Sequence, residues 1–439
     1  MLARKRQPSP SVLSVREYGV IARGSQPRQV SAREIELPDK DFEELKARLL
    51  QLDTDDDADR IFQVAILHGR EVLRLRSYAG IVQTSSGIQV EILPKLYAAN
   101  TCEDSAGHAR SLLLKMLIGC GLVPARRLGA AGLSSEQVPL LEVFIAAFLE
   151  EVNHVVKRGI RSDYLLQTVE SAFVKGKVMV SRQMRKGPAK QNIFSLEHDE
   201  YLPDRSENRL LHSALRFVLS ATRETENQRL ARELLFAFDD VAESRDVRQD
   251  LASCDTGRLM AHYSAAIRWC AILLSRKAPS PTAGAHQTLS ILFPMEVVFE
   301  RYVARWMKHA FPQTHVTTQA ASEYLATQTN GKKWFRLKPD LLIAGPTRKV
   351  VADTKWKLLD QHDRANRFGI AQSDIYQMYA YAKKYLAEEA FAPVVLIYPR
   401  TDAFSEPLET FDYDERARLF VVPFDLENDC CPGLQEVIR

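Results

Sequence analysis

The sequence predicts an α/β chain: a β-rich N-terminal region, a mainly helical middle region with a projecting β-hairpin, and a C-terminal domain with a mixed central sheet. Three observations predict this. Short β-like runs dominate up to about Lys95, the periodicity changes to that of helices from Ser105, and helices and apolar strands alternate beyond a Pro- and Gly-containing break at Ala278–Gln287. The 439 residues divide accordingly into 1–97, 98–287 and 288–439, and a chain of this length is expected to bury more than one core.

Residues 1–10 carry several basic residues and two prolines and are expected to form a loose tail. Strand-like runs follow at Ser11–Val15, Arg28–Leu37 and Ile61–Leu67, and the pair Ser77–Thr84 and Ile88–Lys95 turns around Ser85, Ser86 and Gly87. Asp41–Leu50 reads as a helix. The acidic run Asp53–Asp59 lacks the glycine and closing glutamate of a calcium loop and reads as a solvated turn. Pro94 ends its strand, and Lys95 is expected to begin a surface segment.

Helical periodicity covers Ser111–Ile118 and Pro139–Arg158, the second stopping at Gly159 with Lys157 and Arg158 in its last turn. His108 and His154 have no partner at ligand spacing. Strands are expected at Tyr164–Glu170, Val174–Val180 and Ile193–Glu200, with a loop over Arg182–Lys190. Residues 171–190 include Lys175, Lys177, Arg182, Arg185, Lys186 and Lys190 and no acid. Such a basic hairpin suits phosphate, an acidic protein surface, or solvent alone. Residues 205–275 are again helical. After the break come a helix at Phe293–Trp306, a strand near His315–Gln319, a helix at Ala371–Tyr385, an apolar strand at Pro393–Tyr398 and an irregular tail past Asp425.

Composition limits the function classes. With 46% hydrophobic and 26% charged residues the chain is globular and not disordered. A formal net charge of +3 does not by itself signal nucleic-acid binding, so any such surface must be local. The six cysteines show no C-x-x-C pair, and no run of about 18 apolar residues or signal-peptide pattern occurs. A cytoplasmic protein with no membrane association is expected.

The chemistry concentrates between Trp334 and Lys357. Two extended segments, Trp334–Ile343 and Lys349–Trp356, flank a turn at 344–348, and strand alternation puts Val351, Asp353 and Lys355 on one face. The turn returns Asp340 beside Asp353. Two such carboxylates repel unless a cation lies between them, and hard oxygen donors suit Mg²⁺ or Mn²⁺. Lys355 is then placed to act on water or phosphate, the arrangement of metal-dependent phosphodiester hydrolysis. The alternative is a solvated hairpin, against which both acids sit beside apolar runs, Leu341–Ile343 and Val350–Ala352. Glu300, on the helix with Val298, Tyr302 and Trp306, either extends the metal shell or pairs with Arg301 or Arg305. Gln377 and Tyr381, one turn apart, either position water or phosphate or belong to an aromatic stripe with Tyr376 and Tyr379.

Phe299-Glu300, Pro339-Asp340, Asp353-Thr354-Lys355 and Gln377 with Tyr381 resemble the motif set of the PD-(D/E)xK nuclease superfamily. Asp374–Ala382 further resembles McrC, the nuclease subunit of McrBC-type modification-dependent restriction systems. Gly80-Ile81-Val82, Glu91–Lys95, Lys157–Ile160 with Tyr164, Gly176-Lys177, Arg182-Gln183 and His198–Leu211 resemble McrC elements in family order, and the resemblance spans roughly 75–425. It implies a Mg²⁺-dependent endonuclease acting on double-stranded DNA that carries modified cytosine. Asp340, Asp353 and the Thr354 carbonyl would hold the metal, with Lys355 on water and phosphate, Glu300 in the outer metal shell and Gln377 positioning.

The resemblance also implies a hexameric McrB-like AAA+ GTPase partner. This chain has no G-x-x-x-x-G-K-[ST] element, so the GTP would be bound by the partner. The basic residues Lys175, Lys177, Arg182, Arg185 and Lys186 are the candidates for contacting and stimulating it. Two alternatives stay open: a non-catalytic adaptor that activates an AAA+ ring, and a free-standing DNA repair nuclease.

Overall fold

The computed structural model describes residues 12–52, 60–96, 105–124, 138–187, 192–274 and 289–438. The basic tail, the acidic run 53–59, Lys190 and the break at 278–287 lie outside the described residues. The chain forms two compact units, one of residues 1–123, 131–140 and 278–439, the other of residues 124–130 and 141–277.

The first unit begins with β1 (Val12–Arg16), β2 (Val20–Gly24), β3 (Arg28–Ser31) and β4 (Glu34–Pro38), followed by α1 (Asp39–Leu52). Next come β5 (Phe62–Leu67), β6 (Arg70–Leu75), β7 (Tyr78–Gln83) and β8 (Gln89–Leu93). One sheet has the order β3-β4-β2-β6-β5. Helix α1 contributes Phe42, Leu45 and Leu49 to a core shared with Ile21, Ile35 and Leu73. The run Arg28–Leu37, expected as one strand, is two, because the chain turns after Ser31, whose hydroxyl accepts the Arg33 N–H at 3.2 Å.

A second sheet, β1-β8-β7-β12, closes with β12 (Ser290–Pro294), whose residues pair antiparallel with Val82 to Tyr78. Gly80 is required there: its φ is +145°, and a Cβ would stand 2.0 Å from the Ile291 carbonyl oxygen. The sequence places Phe293 and Pro294 in a helix, yet both belong to this strand.

Helix α2 (Ser105–Gly119) belongs to this same unit although sequence order puts it in the middle region. It packs on α9 (Met295–Ala310), where Gly119 lies so close that a Cβ would meet the Tyr302 ring at 2.2 Å. After α9 come β13 (His315–Thr318), β14 (Tyr324–Thr327), β15 (Lys333–Arg336), β16 (Leu341–Ala344) and β17 (Lys349–Thr354). Helix α10 (Gln372–Tyr385), β18 (Ala392–Pro399), β19 (Phe411–Asp412), β20 (Ala417–Phe424) and α11 (Leu434–Ile438) complete the unit. Six strands form a mixed sheet, β13-β16-β17-β18-β20-β19, with β17, β18 and β20 parallel. All eight residues of β18 are buried, as a central parallel strand requires. Met378 and Tyr381 of α10 join Val351, Val394, Leu396 and Leu419 in the core beneath it. The expected irregular tail instead holds α11, with Leu434, Val437 and Ile438 buried.

The second unit contains α3 (Leu140–Arg158), β9 (Asp163–Ser171), β10 (Lys177–Val178), the single turn α4 (Val180–Gln183) and β11 (Phe194–Leu202). Helices α5 (Ser206–Ala221), α6 (Thr225–Leu235), α7 (Val247–Ala252) and α8 (Ser264–Leu274) follow. Buried Glu142 of α3 accepts from the Thr222 hydroxyl at 2.6 Å, the Arg223 N–H at 2.7 Å and the Asn227 amide at 2.9 Å, so its charge is fully hydrogen-bonded. Among the described residues no helix is long and apolar enough to cross a membrane.

Candidate active site

Two adjacent strands of the mixed sheet set the geometry. Leu341 of β16 pairs with Ala352 of β17, which brings Asp340, just before β16, level with Asp353. The extended segment expected over Trp334–Ile343 is interrupted: β15 pairs only with β14 in a separate two-stranded sheet, and β16 starts after Asp340. Pro339, which has no N–H to give a ladder, lies in the gap. Oδ2 of Asp340 accepts from both the N–H and the hydroxyl of Thr354, at 2.8 and 2.7 Å. The first carboxylate is thereby oriented by the strand that carries the second.

Lys355 joins the pair to a helix. Its Nζ lies 2.6 Å from Asp353 Oδ2 and donates to Gln377 Oε1 at 3.0 Å, while the Gln377 amide donates to the Tyr381 hydroxyl at 2.7 Å. Glu300, on α9, accepts from the side-chain amide of Gln319, whose backbone N–H donates to the Asp340 carbonyl at 2.9 Å. Asp340, Asp353, Lys355 and Gln377 therefore form one connected group, with Glu300 tied to it through Gln319. Tyr381 is buried, whereas Tyr376 and Tyr379 are exposed, so the tyrosines of α10 do not form one packed stripe.

Burial raises the Asp340 carboxyl above its ordinary range, and the charge of Glu300 adds to this. Burial also raises Asp353, and there the charge of Asp340 adds. For Lys355 burial opposes the ammonium, but the charge and hydrogen bond of Asp353 outweigh it and the pKa rises. A buried, mutually repelling carboxylate pair beside one ammonium is a site that a further cation would stabilise.

Among the described residues no group of three or more His, Cys, Asp or Glu side chains forms a ready metal cage. The donors at hand are the two aspartates and neighbouring backbone oxygen, all hard. That set fits Mg²⁺ or Mn²⁺, which bind through one or two carboxylates and otherwise keep water or phosphate oxygen.

Two residues far back in the sequence brace this site and were not read from it. Trp356, next to Lys355, is buried and donates its indole N–H to both oxygens of Glu17, at 2.9 and 3.1 Å. Lys95 donates to the Trp356 carbonyl at 2.7 Å, and so is half-buried and engaged rather than the start of a surface segment. Burial lifts the Glu17 carboxyl to about 7, although Lys95 and Trp356 both favour its charged form. Neither a glutamate just past a strand nor a lysine after a strand-ending proline gives any sign of a partner so distant in the chain.

In the second unit, β9 and β11 make a long antiparallel ribbon from Asp163↔Leu202 to Ser171↔Phe194, and the basic residues lie in the excursion between them. That excursion folds as β10 and α4, not as a simple two-stranded hairpin. Lys175, Lys177, Arg182 and Arg185 are exposed. Lys186 is committed to structure, donating to the Ile193 carbonyl at 2.9 Å and lying 3.1 Å from Glu170. Phe173 and Met184 are 82% and 81% exposed, which marks a surface that is apolar as well as basic.

Comparison with known proteins completes the picture. No curated protein matches the chain. A chain of the refined half-complex from the tetradecameric assembly of Thermococcus gammatolerans McrB AAA+ hexamers with bound McrC shares the fold, with a TM-score of 0.67 and 19% identity over 94% of this chain and 95% of that one. The cryo-EM structure of the Thermococcus gammatolerans McrBC complex aligns with a TM-score of 0.48 and 20% identity, over 67% of this chain and 86% of that one. The family model described as McrBC 5-methylcytosine restriction system component matches residues 73–399. That match spans most of the chain, which therefore belongs to the McrBC family of restriction-system components.

Proposed function

We propose that the protein is the Mg²⁺-dependent DNA endonuclease subunit of a GTP-dependent restriction complex directed at modified cytosine. In this reading, residues 288–439 supply cleavage. The single observation that carries it is the connected group Asp340, Asp353, Lys355 and Gln377 within a chain of this family. Asp340, Asp353 and the Thr354 carbonyl would hold the metal, which when bound supplies Lewis-acid polarisation of the phosphate. The Thr354 N–H and hydroxyl fix one oxygen of Asp340, so the carboxylate does not have to reorient. Lys355, held by Asp353 and Gln377, presents positive charge to a phosphate oxygen or a water, and Gln377 keeps the ammonium aimed. Glu300 stands in the outer shell, linked through Gln319.

The partner in this reading is a McrB-like AAA+ GTPase hexamer, which binds the GTP. Thermococcus gammatolerans McrC is bound to McrB AAA+ hexamers, and the shared fold supports the same pairing here. The β9–β11 excursion is the proposed contact that stimulates GTP hydrolysis, through Lys175, Lys177, Arg182 and Arg185 together with exposed Phe173 and Met184.

The test is cleavage of modified and unmodified plasmid DNA with Mg²⁺, GTP and the AAA+ partner, comparing wild type with Asp353→Ala. Cleavage of modified DNA that needs both proteins and is lost in the variant is expected. Cleavage by the chain alone would make it a free-standing nuclease, and GTPase stimulation without cleavage by wild type would make it an adaptor.

A further inference from the structure

The β14–β15 ribbon has no use in the chemistry above, and its composition is unusual for a solvent-facing hairpin. Residues 328–338 contain Lys332, Lys333, Arg336 and Lys338 and no acid. All four cations are exposed, as are Trp334 at 40% and Phe335 at 69%. Rings and cations interleave: Lys332 lies 4.6 Å from the Trp334 ring centre and Lys333 lies 5.6 Å from that of Tyr324. Phe335 has a φ of +56°, a left-handed backbone that a bulky residue rarely adopts without a purpose. Among the described residues the ribbon pairs with no other strand.

Its base is fixed to the candidate active site. The Leu337 N–H donates to the Glu323 carbonyl at 2.9 Å, and the Tyr385 hydroxyl lies 3.0 Å from the carbonyls of both Ala320 and Leu337. Tyr385 is on α10, the helix of Gln377, and its ring neighbours that of Tyr381 at 6.2 Å. Only Lys338 and Pro339 separate this base from Asp340.

We propose that the β14–β15 ribbon is a duplex-DNA clamp, its Lys332, Lys333 and Arg336 on backbone phosphates and its Phe335 ring against sugar or base beside the Asp340–Asp353 pair. The location over that pair rests on the nuclease reading. Two acids and the nearby Glu300 repel a polyanion, so a substrate held there needs compensating cations close by. A net charge of +3 over the whole chain means that they must be concentrated. Exposed rings among the cations match how proteins grip nucleic acid, where a side chain wedges or stacks while phosphate contacts hold register.

The experiment titrates the full-length chain, in EDTA so that cleavage does not intrude, against a fluorescein-labelled DNA duplex by anisotropy at several salt concentrations. Lys332→Ala/Lys333→Ala/Arg336→Ala is expected to weaken binding at least about tenfold and to lower the slope of log affinity on log salt by about 2 to 3. Phe335→Ala is expected to weaken binding about fivefold with the slope unchanged. Lys332→Arg/Lys333→Arg, which keeps the charge, is expected to bind as wild type. Because Arg336 Nε also donates to the Ala321 carbonyl at 2.7 Å, an unchanged melting temperature of the triple variant is what separates lost contact from lost fold. Wild-type affinity and slope in the triple variant overturn the clamp, as does no DNA binding by wild type. Loss of AAA+ partner binding with DNA binding intact also overturns it. A wild type that never cleaves, but whose variants lose DNA binding, leaves the clamp standing and removes the nuclease reading instead.

Discussion

The indole of Trp356 and the carboxylate of Glu17 are hydrogen-bonded at 2.9 and 3.1 Å in a fully buried setting, joining the residue after Lys355 to the turn after the first strand. Glu17→Ala strands the indole N–H, with an expected cost of about 1–3 kcal/mol in urea unfolding. Cleavage is expected to fall as well, because the backbone that aims Lys355 loses an anchor. Glu17→Gln keeps an acceptor and is expected to lose less of both. The Glu17 carboxyl is raised from 4.5 to about 7, so over that window the folded state binds more protons than the unfolded. Its contribution to stability therefore declines as pH rises through the window, and Glu17→Gln is expected to remove that decline in pH-dependent melting.

Asp340 and Asp353 share the same sign. Both carboxyls are raised, so without metal the folded state is favoured while they are protonated and is penalised as pH rises through their shifted range. Asp353→Asn is expected to abolish cleavage yet stabilise the metal-free protein at neutral pH by roughly 1–3 kcal/mol. Mg²⁺ is expected to raise the melting temperature of wild type and leave the variant unmoved. A variant less stable than wild type at every pH would remove the repulsion account.

Gln377 touches Lys355 and Tyr381, not the carboxylates. Gln377→Ala is expected to lower the single-turnover cleavage rate roughly 10- to 100-fold, as loss of an orienting partner does, with DNA affinity little changed. A change in affinity alone would assign the residue to substrate binding.

For the β9–β11 excursion, Phe173→Ser/Met184→Ser is expected to weaken stimulation of the partner's GTPase at least about tenfold, since each exposed apolar anchor contributes on the order of 1–2 kcal/mol when buried in an interface. Lys186→Ala is expected to act differently, reducing thermal stability first, because it bridges the Ile193 carbonyl and Glu170. Equal loss of GTPase stimulation in both variants, with melting unchanged, would contradict this division.

The parts legible in the sequence are those whose cause is local. Asp340 and Asp353 announce themselves because a tight turn returns one to the other and each sits beside an apolar run; β18 because a central parallel strand is apolar throughout. Helix α3 ends at Gly159, φ +89°, for the C-terminal capping reason that its sequence suggests. What escaped reading depends on distant partners. Lys95 looks like a surface lysine until Trp356 is beside it, and Lys186 looks like its basic neighbours until Ile193 and Glu170 engage it. Phe293 and Pro294 scan as helix and become strand because β7 offers them an edge. Pro339 was visible, but its effect, severing β15 from β16, appears only once β14 takes the freed strand.

The pairing of β12 with β7 also orders events in time. During synthesis the edge at Tyr78–Gln83 stays open until residues 290–294 have been made, and Glu17 and Lys95 wait longer still for Trp356. A ribosome that stops before residue 290 thus releases a chain without the Asp340–Asp353 pair and with the β7 edge still unpaired: the candidate site is built late, onto a foundation laid first.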